Sequence, residues 1–485
     1  MFVAAIFAVP IVVAIYQRPQ RGLLLVALFA PLHGLLAIIP GGTSMAGWKE
    51  GLLLLTLGCT FVSPNRLRVV RPSMPWWPAA AAWVAFGSAS ALLLSGIAGV
   101  TSIKITYFYI LIPVILWRAP FSRDDRDHLV SVLMGMGILT AVIGLLQQAV
   151  GPAYLVDLGY SYTEQIRITG SILRSFSTFT GPFAFGLFVM LSLIVGISVA
   201  LADPKRLRNI IFLAATPIMV VGMGVSIVRA SYIGLAVGLL WIAVYKYRSI
   251  LMLFGAAAAA VPFVLLLAPP SIVKPLFSSY SLEERGSGWS STISSLFVHP
   301  LGQGLGATGS AAAKAAEAAQ PMLNTMTIKA ATTLGLIPYQ PDNYYMKVAV
   351  ELGRSACGFF VLVLISSGAS ALRASRVLPG SDGALALGVS ASIVAAAVAS
   401  VVSTYFEIFP LDLYFWLLIG TVGCALTQHH SEKEAISDHE SPSEHGTPTW
   451  WGRRPNLCTR TTPRTLPTDQ RIDEPQRNSA NRRCR

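Results

Sequence analysis

Three charged residues stand out in a sequence that is otherwise rich in apolar segments: Arg229, Arg285 and Asp342. The planar guanidinium group of an arginine matches phosphate oxygens with two parallel hydrogen bonds and keeps its charge at any working pH. Two arginines can therefore bind a diphosphate without a metal ion. A carboxylate at the start of a helix, as Asp342 is predicted to be, can act as a general base on a hydroxyl group.

Each of the three residues is equally explained by a structural role. Arg229 lies within GMGVSIVRASYIGLAVGLL, and an arginine at the centre of a bilayer costs about 2.5 to 3.5 kcal/mol on insertion scales. At a helix end, the same side chain extends to the lipid headgroups instead. Arg285 follows two glutamates and fits a solvated loop charge, and Asp342 fits a helix N-cap. These alternatives stay open on the sequence.

A loop segment, ERGSGWSSTISSLFVHPLGQGLG, carries several further candidates between Glu284 and Gly306. Arg285 precedes Trp289 by four residues, and His299 precedes a proline, a position that favours a structural turn over a catalytic base. The glycines after His299 predict a turn that needs positive φ or a close approach of backbone. As a nucleotide-binding loop the glycine pattern is weak.

Two shorter segments place polar residues next to apolar ones. QPDNYYMKVAVELG, from Gln340 to Gly353, carries Asp342 and Asn343 directly before an apolar segment. ILRSFSTFTGPFAFGLFVM carries Arg174 before a Gly-Pro break that predicts the start of a new helix.

The composition indicates which elements must position these residues. Of the 485 residues, 54% are hydrophobic and 12% are charged, and the mean hydropathy is +0.61. A soluble core of this length does not use so much apolar sequence, so we predict an all-α, polytopic bundle of transmembrane helices. About 12 to 13 spans are expected from the apolar periodicity, at roughly 1–16, 22–40, 51–63, 76–95, 102–117, 129–150, 179–201, 209–226, 230–245, 250–268, 350–372, 383–402 and 409–427.

Basic residues lie in every second connection between these spans. The positive-inside rule then predicts a cytoplasmic side for those connections, an N-terminus outside and a C-terminus in the cytoplasm. The candidate residues named above fall on the opposite, extracytoplasmic side. The net charge of +13 is explained by topology and does not favour a nucleic-acid partner. The basic connections contain Arg18 and Arg21; Arg66, Arg68 and Arg71; Arg118, Arg123 and Arg126; Lys205, Arg206 and Arg208; Lys246 and Arg248; and Arg373 and Arg376.

The predicted organisation has four parts: a transmembrane domain over 1–427, an outer loop over 151–176, a large outward-facing loop over 269–342 and a tail over 428–485. Ordered loops of that length usually carry function. The tail is rich in Ser, Thr, Pro and charges of both signs, a composition that predicts disorder. The placement of the five cysteines suggests neither a disulfide framework nor a metal site, and we predict no cofactor.

Taken in order, the motifs resemble those of the O-antigen ligase and O-antigen polymerase family of bacterial polysaccharide assembly. SIVRASYIGLAVGLL is similar to the family's arginine and small residue at the start of a span. RGSGWSSTISSLFVHPLGQGLG is similar to its arginine before tryptophan and the hPlfGvGlG-like run that follows. DNYYMKVAVELG resembles the segment that closes the family's large loop, and RSFSTFTGPFAFGLF resembles its gtFxnPnxfa segment. The resemblance covers Arg174 to Gly353.

This resemblance implies a metal-independent membrane glycosyltransferase with a GT-C-like helical fold. It would lie in the bacterial inner membrane with its active side extracytoplasmic. The donor would be a glycan on undecaprenyl diphosphate, and the other partners would be membrane lipids and polysaccharide-assembly proteins of the cell envelope.

The resemblance also implies roles for individual residues. In the family's ligases two arginines bind the diphosphate and a histidine activates the acceptor hydroxyl. The arginines correspond to Arg229 and Arg285, and the histidine position holds Asp342. An aspartate there fits a polymerase, whose acceptor is a second lipid-linked glycan, better than a ligase. Trp289 would stack on a sugar ring. The candidates for substrate binding are Arg174, Trp289, Asn343 and His299.

Two other classes of protein remain as alternatives. A transporter or flippase for lipid-linked sugars would place ionisable groups near the membrane midplane on broken helices, whereas the candidate groups here lie on the outer side. A non-catalytic scaffold of an export complex gives no reason for Arg229, Arg285 and Asp342 to share one side.

Overall fold

A computed structural model of the chain describes residues 2–62, 71–95, 99–162, 165–169, 172–252, 300–309 and 342–440. The predicted site residues Arg285, Trp289 and His299 lie outside the described residues. The chain divides into two compact units, Met1–Ala435 and Ile436–Arg485. The helices and strands described below belong to the first unit, except for the last helical residues, Ile436 to Glu440, which belong to the second.

Helices dominate the described part of the chain, with one short two-stranded sheet. The antiparallel strands are β1 (Arg167–Thr169) and β2 (Ile172–Arg174), with Ile168 paired to Leu173. The α-helices are α1 Phe2–Gln17, α2 Gln20–Phe29, α3 Trp48–Val62, α4 Trp77–Ser95, α5 Gly99–Tyr107, α6 Leu111–Arg118, α7 Arg123–Asp157, α8 Pro182–Ala202, α9 Leu207–Gly224, α10 Arg229–Tyr245, α11 Tyr344–Val377, α12 Gly380–Ala399 and α13 Leu411–Glu440. Short 3-10 helices cover Ala30–Ala37, Gly42–Met45, Phe108–Ile110 and Tyr405–Glu407.

Nine helical segments within the described ranges are long and apolar enough to cross a membrane, and α10 is a shorter apolar helix. The prediction of an all-α polytopic bundle is therefore confirmed. Twelve of the thirteen predicted spans coincide with one described helix or with two or three consecutive ones. The remaining one, 250–268, lies outside the described residues except for its first three.

Local sequence signals explain where several helices begin. Ser122 and Asp125 form a capping box at the start of α7: the Ser122 hydroxyl accepts from the Asp125 backbone N–H at 3.3 Å, and the Asp125 carboxylate accepts from the Ser122 backbone N–H at 3.0 Å. The Gly-Pro break places Pro182 at the first position of α8, where the missing N–H of proline is harmless.

Helix α8 forms the centre of the bundle and packs against α7, α9, α10 and α12. Nearly all of its residues are buried, which is expected for a helix that is apolar on every face. Two serines link it to its neighbours, because a buried hydroxyl needs a partner. Ser192 donates to the carbonyl of Leu133 in α7 at 2.9 Å, and Ser198 donates to that of Ala384 in α12 at 2.7 Å.

The basic connections meet at one end of the bundle, which we call the basic end. This grouping follows the predicted alternation, and its assignment to the cytoplasmic side stays a prediction. The contacts that define it join Arg18 to Asp125 (3.5 Å), Arg126 to Asp382 (2.8 Å), Arg206 to Asp127 (2.7 Å) and Arg376 to the ring of Tyr245 (5.6 Å).

Two segments predicted as loop or tail contain regular structure. Helix α7 continues through a kink at Gly151, whose φ is 78°, as far as Asp157, and the β1–β2 hairpin follows within the predicted outer loop. Helix α13 continues to Glu440, so the first residues of the predicted disordered tail are helical. The reason is local, since SEKEA consists largely of residues with high helix propensity.

Candidate functional site

The turn between α9 and α10 explains the arginine inside an apolar stretch. Helix α9 ends at Gly224 and α10 begins at Arg229, so the stretch is two helix ends and not one continuous helix. The turn is held by hydrogen bonds back to its own backbone: Ser231 donates to the Val228 carbonyl at 2.7 Å, and Tyr232 donates to the Gly224 carbonyl at 2.6 Å. Arg229 is half-buried at this junction.

Arg174 lies against the same turn. Its Nε donates to the carbonyl of Ser226 at 3.3 Å, and the N–H of the next residue, Ser175, donates to the carbonyl of Val225 at 3.0 Å. The guanidinium also lies 5.2 Å from the centre of the Phe183 ring, at the start of α8. The structure thus brings a predicted substrate-binding residue to the turn from which α10 begins with Arg229.

The segment after Arg174 is anchored by buried side chains of α7. The amide oxygen of Gln147 accepts from the N–H groups of Phe176 and Ser177 at 3.1 and 2.7 Å, and its amide nitrogen donates to the Ser177 carbonyl at 2.8 Å. Ser177 has a φ of 54°, an uncommon value for a residue other than glycine. Beside this segment, burial raises the pKa of the Tyr160 phenol, which packs on the Phe176 ring.

The start of α11 corrects one interpretation of the sequence. Asn343, and not Asp342, is the N-cap: its side-chain oxygen accepts from the N–H groups of Tyr345 and Met346 at 2.9 and 3.2 Å. Asn343 is buried, whereas Asp342 is exposed immediately before it. The N–H of Tyr344 donates to the carbonyl of Ser400 at 2.9 Å, which ties this helix start to the end of α12.

The glycine-rich segment of the large loop is paired with the part of α11 that precedes the kink at Gly353. The N–H of Gln303 donates to the Val350 carbonyl at 2.8 Å, and that of Gly304 donates to the Glu351 carbonyl at 2.9 Å. Gly302, Gly304 and Gly306 have φ values of 84°, 109° and 88°, so the predicted positive-φ turn is confirmed. The sequence did not indicate its partner, which is the ELG segment where α11 kinks.

A buried cluster of charges lies where these two segments meet. Lys347 Nζ is 3.0 Å from Glu351 Oε2 and 3.6 Å from Glu407 Oε2, and the three side chains are 3%, 1% and 9% exposed. Thr308, from the loop, donates to Glu351 Oε1 through its N–H at 3.2 Å and its hydroxyl at 3.0 Å.

None of the three charged residues of this cluster was among the site residues predicted from the sequence. The Glu407 carboxylate, in the 3-10 helix Tyr405–Glu407, is buried against a lysine. Lys347 and Glu351 were missed altogether. Their signal was present in the sequence as two opposite charges four residues apart at the start of an apolar segment.

A second polar group lies at the start of α3. Trp48 Nε1 donates to His33 Nδ1 at 3.2 Å, so the His33 ring takes part in polar packing. Lys49 Nζ lies 4.1 Å from the centre of the Phe409 ring. Lys104, in the last turn of α5, pairs with Glu50 at 3.1 Å.

The helix packing places Arg174, Arg229 and Asp342 at the end of the bundle opposite to the basic end. Helix α10 runs antiparallel to α12, since its Trp241 donates to Ser390 at 3.2 Å while Gly234 lies beside Ala395. The start of α10 is therefore near the end of α12, to which the start of α11 is also bonded. Among the described residues, no group of three or more His, Cys, Asp and Glu side chains is arranged to hold a metal ion.

Comparison with known protein families and with curated proteins finds no match to this chain.

Proposed function

We propose that the protein is a GT-C-like membrane glycosyltransferase that polymerises undecaprenyl-diphosphate-linked oligosaccharide repeat units into a surface polysaccharide such as an O-antigen or exopolysaccharide. The observation that supports it most is the shared position of Arg174, Arg229 and Asp342 at the end of the bundle opposite to the basic end. Positive charge and a carboxylate at one membrane surface suit a reaction in which a lipid diphosphate leaves and a hydroxyl attacks.

In the proposed mechanism, an acceptor hydroxyl attacks the anomeric carbon of the donor glycan. The bond between that carbon and the phosphate oxygen breaks, and undecaprenyl diphosphate leaves with the electron pair. Arg229 and Arg285 bind the diphosphate and stabilise the negative charge that develops on it. Asp342 orients the hydroxyl and accepts its proton.

Neighbouring residues support these roles. The Arg174 guanidinium adds positive charge beside the turn that leads into Arg229. The side-chain oxygen of Asn343 caps α11, so we assign Asn343 the role of fixing the backbone that carries Asp342. Trp289 and His299 are assigned to sugar binding on the resemblance alone.

A transporter for lipid-linked sugars is the second candidate, and one observation favours it. Helix α11 is broken at Gly353, whose φ is 76°, and carries the buried Lys347 and Glu351 before the break. Transporters use ionisable groups on discontinuous helices to couple binding to movement. We favour the glycosyltransferase because Glu351 is also bonded to Thr308 of the large loop, a bond that holds the loop in place.

The test is a strain that lacks this protein and is complemented with wild type, Arg229→Ala, Arg285→Ala or Asp342→Ala at matched protein levels. Arg248→Ala is the control, because Arg248 is exposed and lies just after α10, at the basic end. Undecaprenyl-linked glycans and surface polysaccharide are extracted and sized by gel and mass spectrometry. We expect single repeat units to accumulate on lipid in the three site variants and normal products in the control.

Each other result has a distinct meaning. Long chains on lipid that fail to reach an acceptor would indicate an O-antigen ligase. Single units that an impermeant glycosidase cannot reach in spheroplasts would indicate a transporter. Normal products from all three site variants would overturn the proposed site.

A further inference from the structure

The basic end of the bundle contains a cleft that the proposed function does not use. Its cavity has a volume of about 280 Å³ and lies between the start of α7, the turn before α9 and the start of α12. This volume is close to the lower limit of ordinary small-molecule pockets, about 300 Å³. The charged residues that line it are Arg123, Asp124, Arg126, Asp127, Arg206, Arg208 and Asp382.

The inner wall of the cleft is a closed ion pair. Arg126 Nε and Nη2 donate to the two carboxylate oxygens of Asp382 at 3.0 and 2.8 Å, and its Nη1 donates to the Phe121 carbonyl at 3.1 Å and to Gln428 at 2.9 Å. The Arg126 side chain is 3% exposed. These four hydrogen bonds hold the Arg126 side chain in place. The Arg126–Asp382 ion pair therefore contributes no net charge to the cleft.

The outer wall has more positive than negative charge. Arg206 forms two hydrogen bonds of 2.7 Å with the carboxylate of Asp127, and Arg208 donates to the same carboxylate at 2.9 Å. One carboxylate therefore serves two guanidinium groups. Arg123 is exposed and makes no ion pair within the described part of the chain, and Asp124 beside it offsets one charge. One positive charge remains on the wall that faces water.

The backbone adds to this positive character. No side chain caps the first turn of α12, which follows Pro379, and Ser381 in that turn lines the cavity. The N–H groups of a first helical turn have no partners within the helix, and the helix dipole makes this end partly positive. The start of α7 differs, because there the Ser122–Asp125 capping box provides side-chain acceptors for the N–H groups of Ser122 and Asp125.

The surface next to the cleft is apolar. Leu207 and Ile211, on the first turns of α9 beside Arg206 and Arg208, are 70% and 53% exposed. On a membrane-spanning helix, such side chains contact acyl chains. A ligand with a phosphate group and an attached apolar tail would match both the cleft and this surface.

We propose that the cleft binds the phosphate group of an anionic ligand at the membrane surface opposite to the proposed catalytic site. Basic pockets between transmembrane helices on the cytoplasmic side are known to take lipid headgroups. The ligand chemistry is a phosphate group that gives the ligand a net negative charge, and its source is either an anionic phospholipid or a soluble phosphate. Because the cleft shares no residue with Arg229, Arg285 or Asp342, this proposal is independent of the proposed function.

The test uses the purified full-length protein in a neutral detergent and titrates it with dioctanoyl phosphatidylglycerol, dioctanoyl phosphatidylcholine or inorganic phosphate. We expect phosphatidylglycerol to bind at least about tenfold more tightly than phosphatidylcholine, a ratio equal to roughly 1.4 kcal/mol. We expect Arg123→Gln and Arg206→Gln each to reduce that preference. Arg248→Gln, an exposed charge that does not line the cleft, is the matched control and should leave it unchanged.

The outcomes distinguish the sources. Binding of phosphatidylglycerol that excess inorganic phosphate does not displace assigns the cleft to a lipid, whereas binding of inorganic phosphate alone assigns it to a soluble ligand. Arg123→Gln removes no ion pair among the described residues, so it tests the cleft without a loss of folding; size-exclusion profiles verify this. Equal affinity of wild type and both cleft variants for every probe would overturn the proposal.

Discussion

The backbones of Gly302 and Gly353 pack directly against each other, and both residues have positive φ, at 84° and 76° respectively. A Cβ on Gly302 would collide with the carbonyl of Glu351, and one on Gly353 would collide with the carbonyl of Pro300. The large loop and the kink of α11 can approach this closely only because both positions lack a side chain. The glycine-rich segment of the loop is thereby fixed to the helix that begins directly after Asp342 and Asn343.

We predict that Gly353→Ala lowers thermal stability, because it combines a collision with a φ that costs about 1 to 3 kcal/mol for a residue other than glycine. Gly358→Ala is the matched control on the same helix, since nothing lies within 4 Å of a Cβ at that position. Alanine favours a helix over glycine, so this control should be neutral or slightly stabilising. Melting in detergent measures both, and equal melting temperatures for the two variants would contradict the interpretation.

Lys347→Met should destabilise the bundle strongly, because it removes the ammonium group that lies 3.0 Å from the buried Glu351 carboxylate. Loss of one partner of a buried ion pair costs about 3 to 5 kcal/mol. The double variant Lys347→Met/Glu351→Met should lose less than the sum of the two single variants. A double-mutant cycle of unfolding free energies measures this coupling. Additive losses would show that the Lys347 and Glu351 side chains do not stabilise each other.

Arg126→Lys should behave as a non-conservative change. Arg126 makes two bonds to Asp382 and two more to Phe121 and Gln428, and one lysine ammonium cannot reproduce that planar arrangement. We expect a loss of about 2 kcal/mol or more, since hydrogen bonds to charged groups contribute about 1.5 to 3 kcal/mol each. Arg248→Lys, at an exposed position, should be neutral in the same denaturation experiment. A variant as stable as wild type would show that the pair contributes little.

Asp342→Asn should abolish polymer formation while leaving stability unchanged, because Asp342 is exposed and Asn343 already caps α11. Asp342→His should restore part of the activity if this side chain accepts the proton of the acceptor hydroxyl. A histidine base has an unperturbed pKa of about 6.5 and becomes protonated below it, so this variant should lose activity as pH falls through that value. Polymer length measured against pH tests the role, and full activity of Asp342→Asn would refute it.

The orientation can be measured by cysteine labelling. Tyr162→Cys lies in the predicted outer loop and Lys205→Cys in a predicted cytoplasmic connection, and both positions are exposed. In a background without native cysteines, we expect an impermeant maleimide to label the first in intact spheroplasts and the second only after permeabilisation. The reverse pattern would invert the predicted topology and place the basic cleft outside.

The sequence by itself determined that the chain is a polytopic helical bundle and where most helices lie in the described part, in which nine helical segments are long and apolar enough to cross a membrane. The length of an apolar segment is a local property. Each membrane helix must satisfy its own backbone N–H and C=O groups and be long enough to cross the bilayer, whichever helices lie beside it. It also determined the break between α9 and Arg229, because an arginine inside a continuous membrane helix is costly, and the positive-φ turn, because glycine adopts positive φ without a steric penalty.

Only the tertiary structure decided which groups are partners. Arg126 pairs with Asp382, 256 residues away, and Glu351 accepts from Thr308 across the large loop. It also decided that Asn343 rather than Asp342 is the cap. These pairings depend on which helices are neighbours and how they are rotated. Those features arise from packing summed over the whole bundle, so no short segment of the sequence contains them.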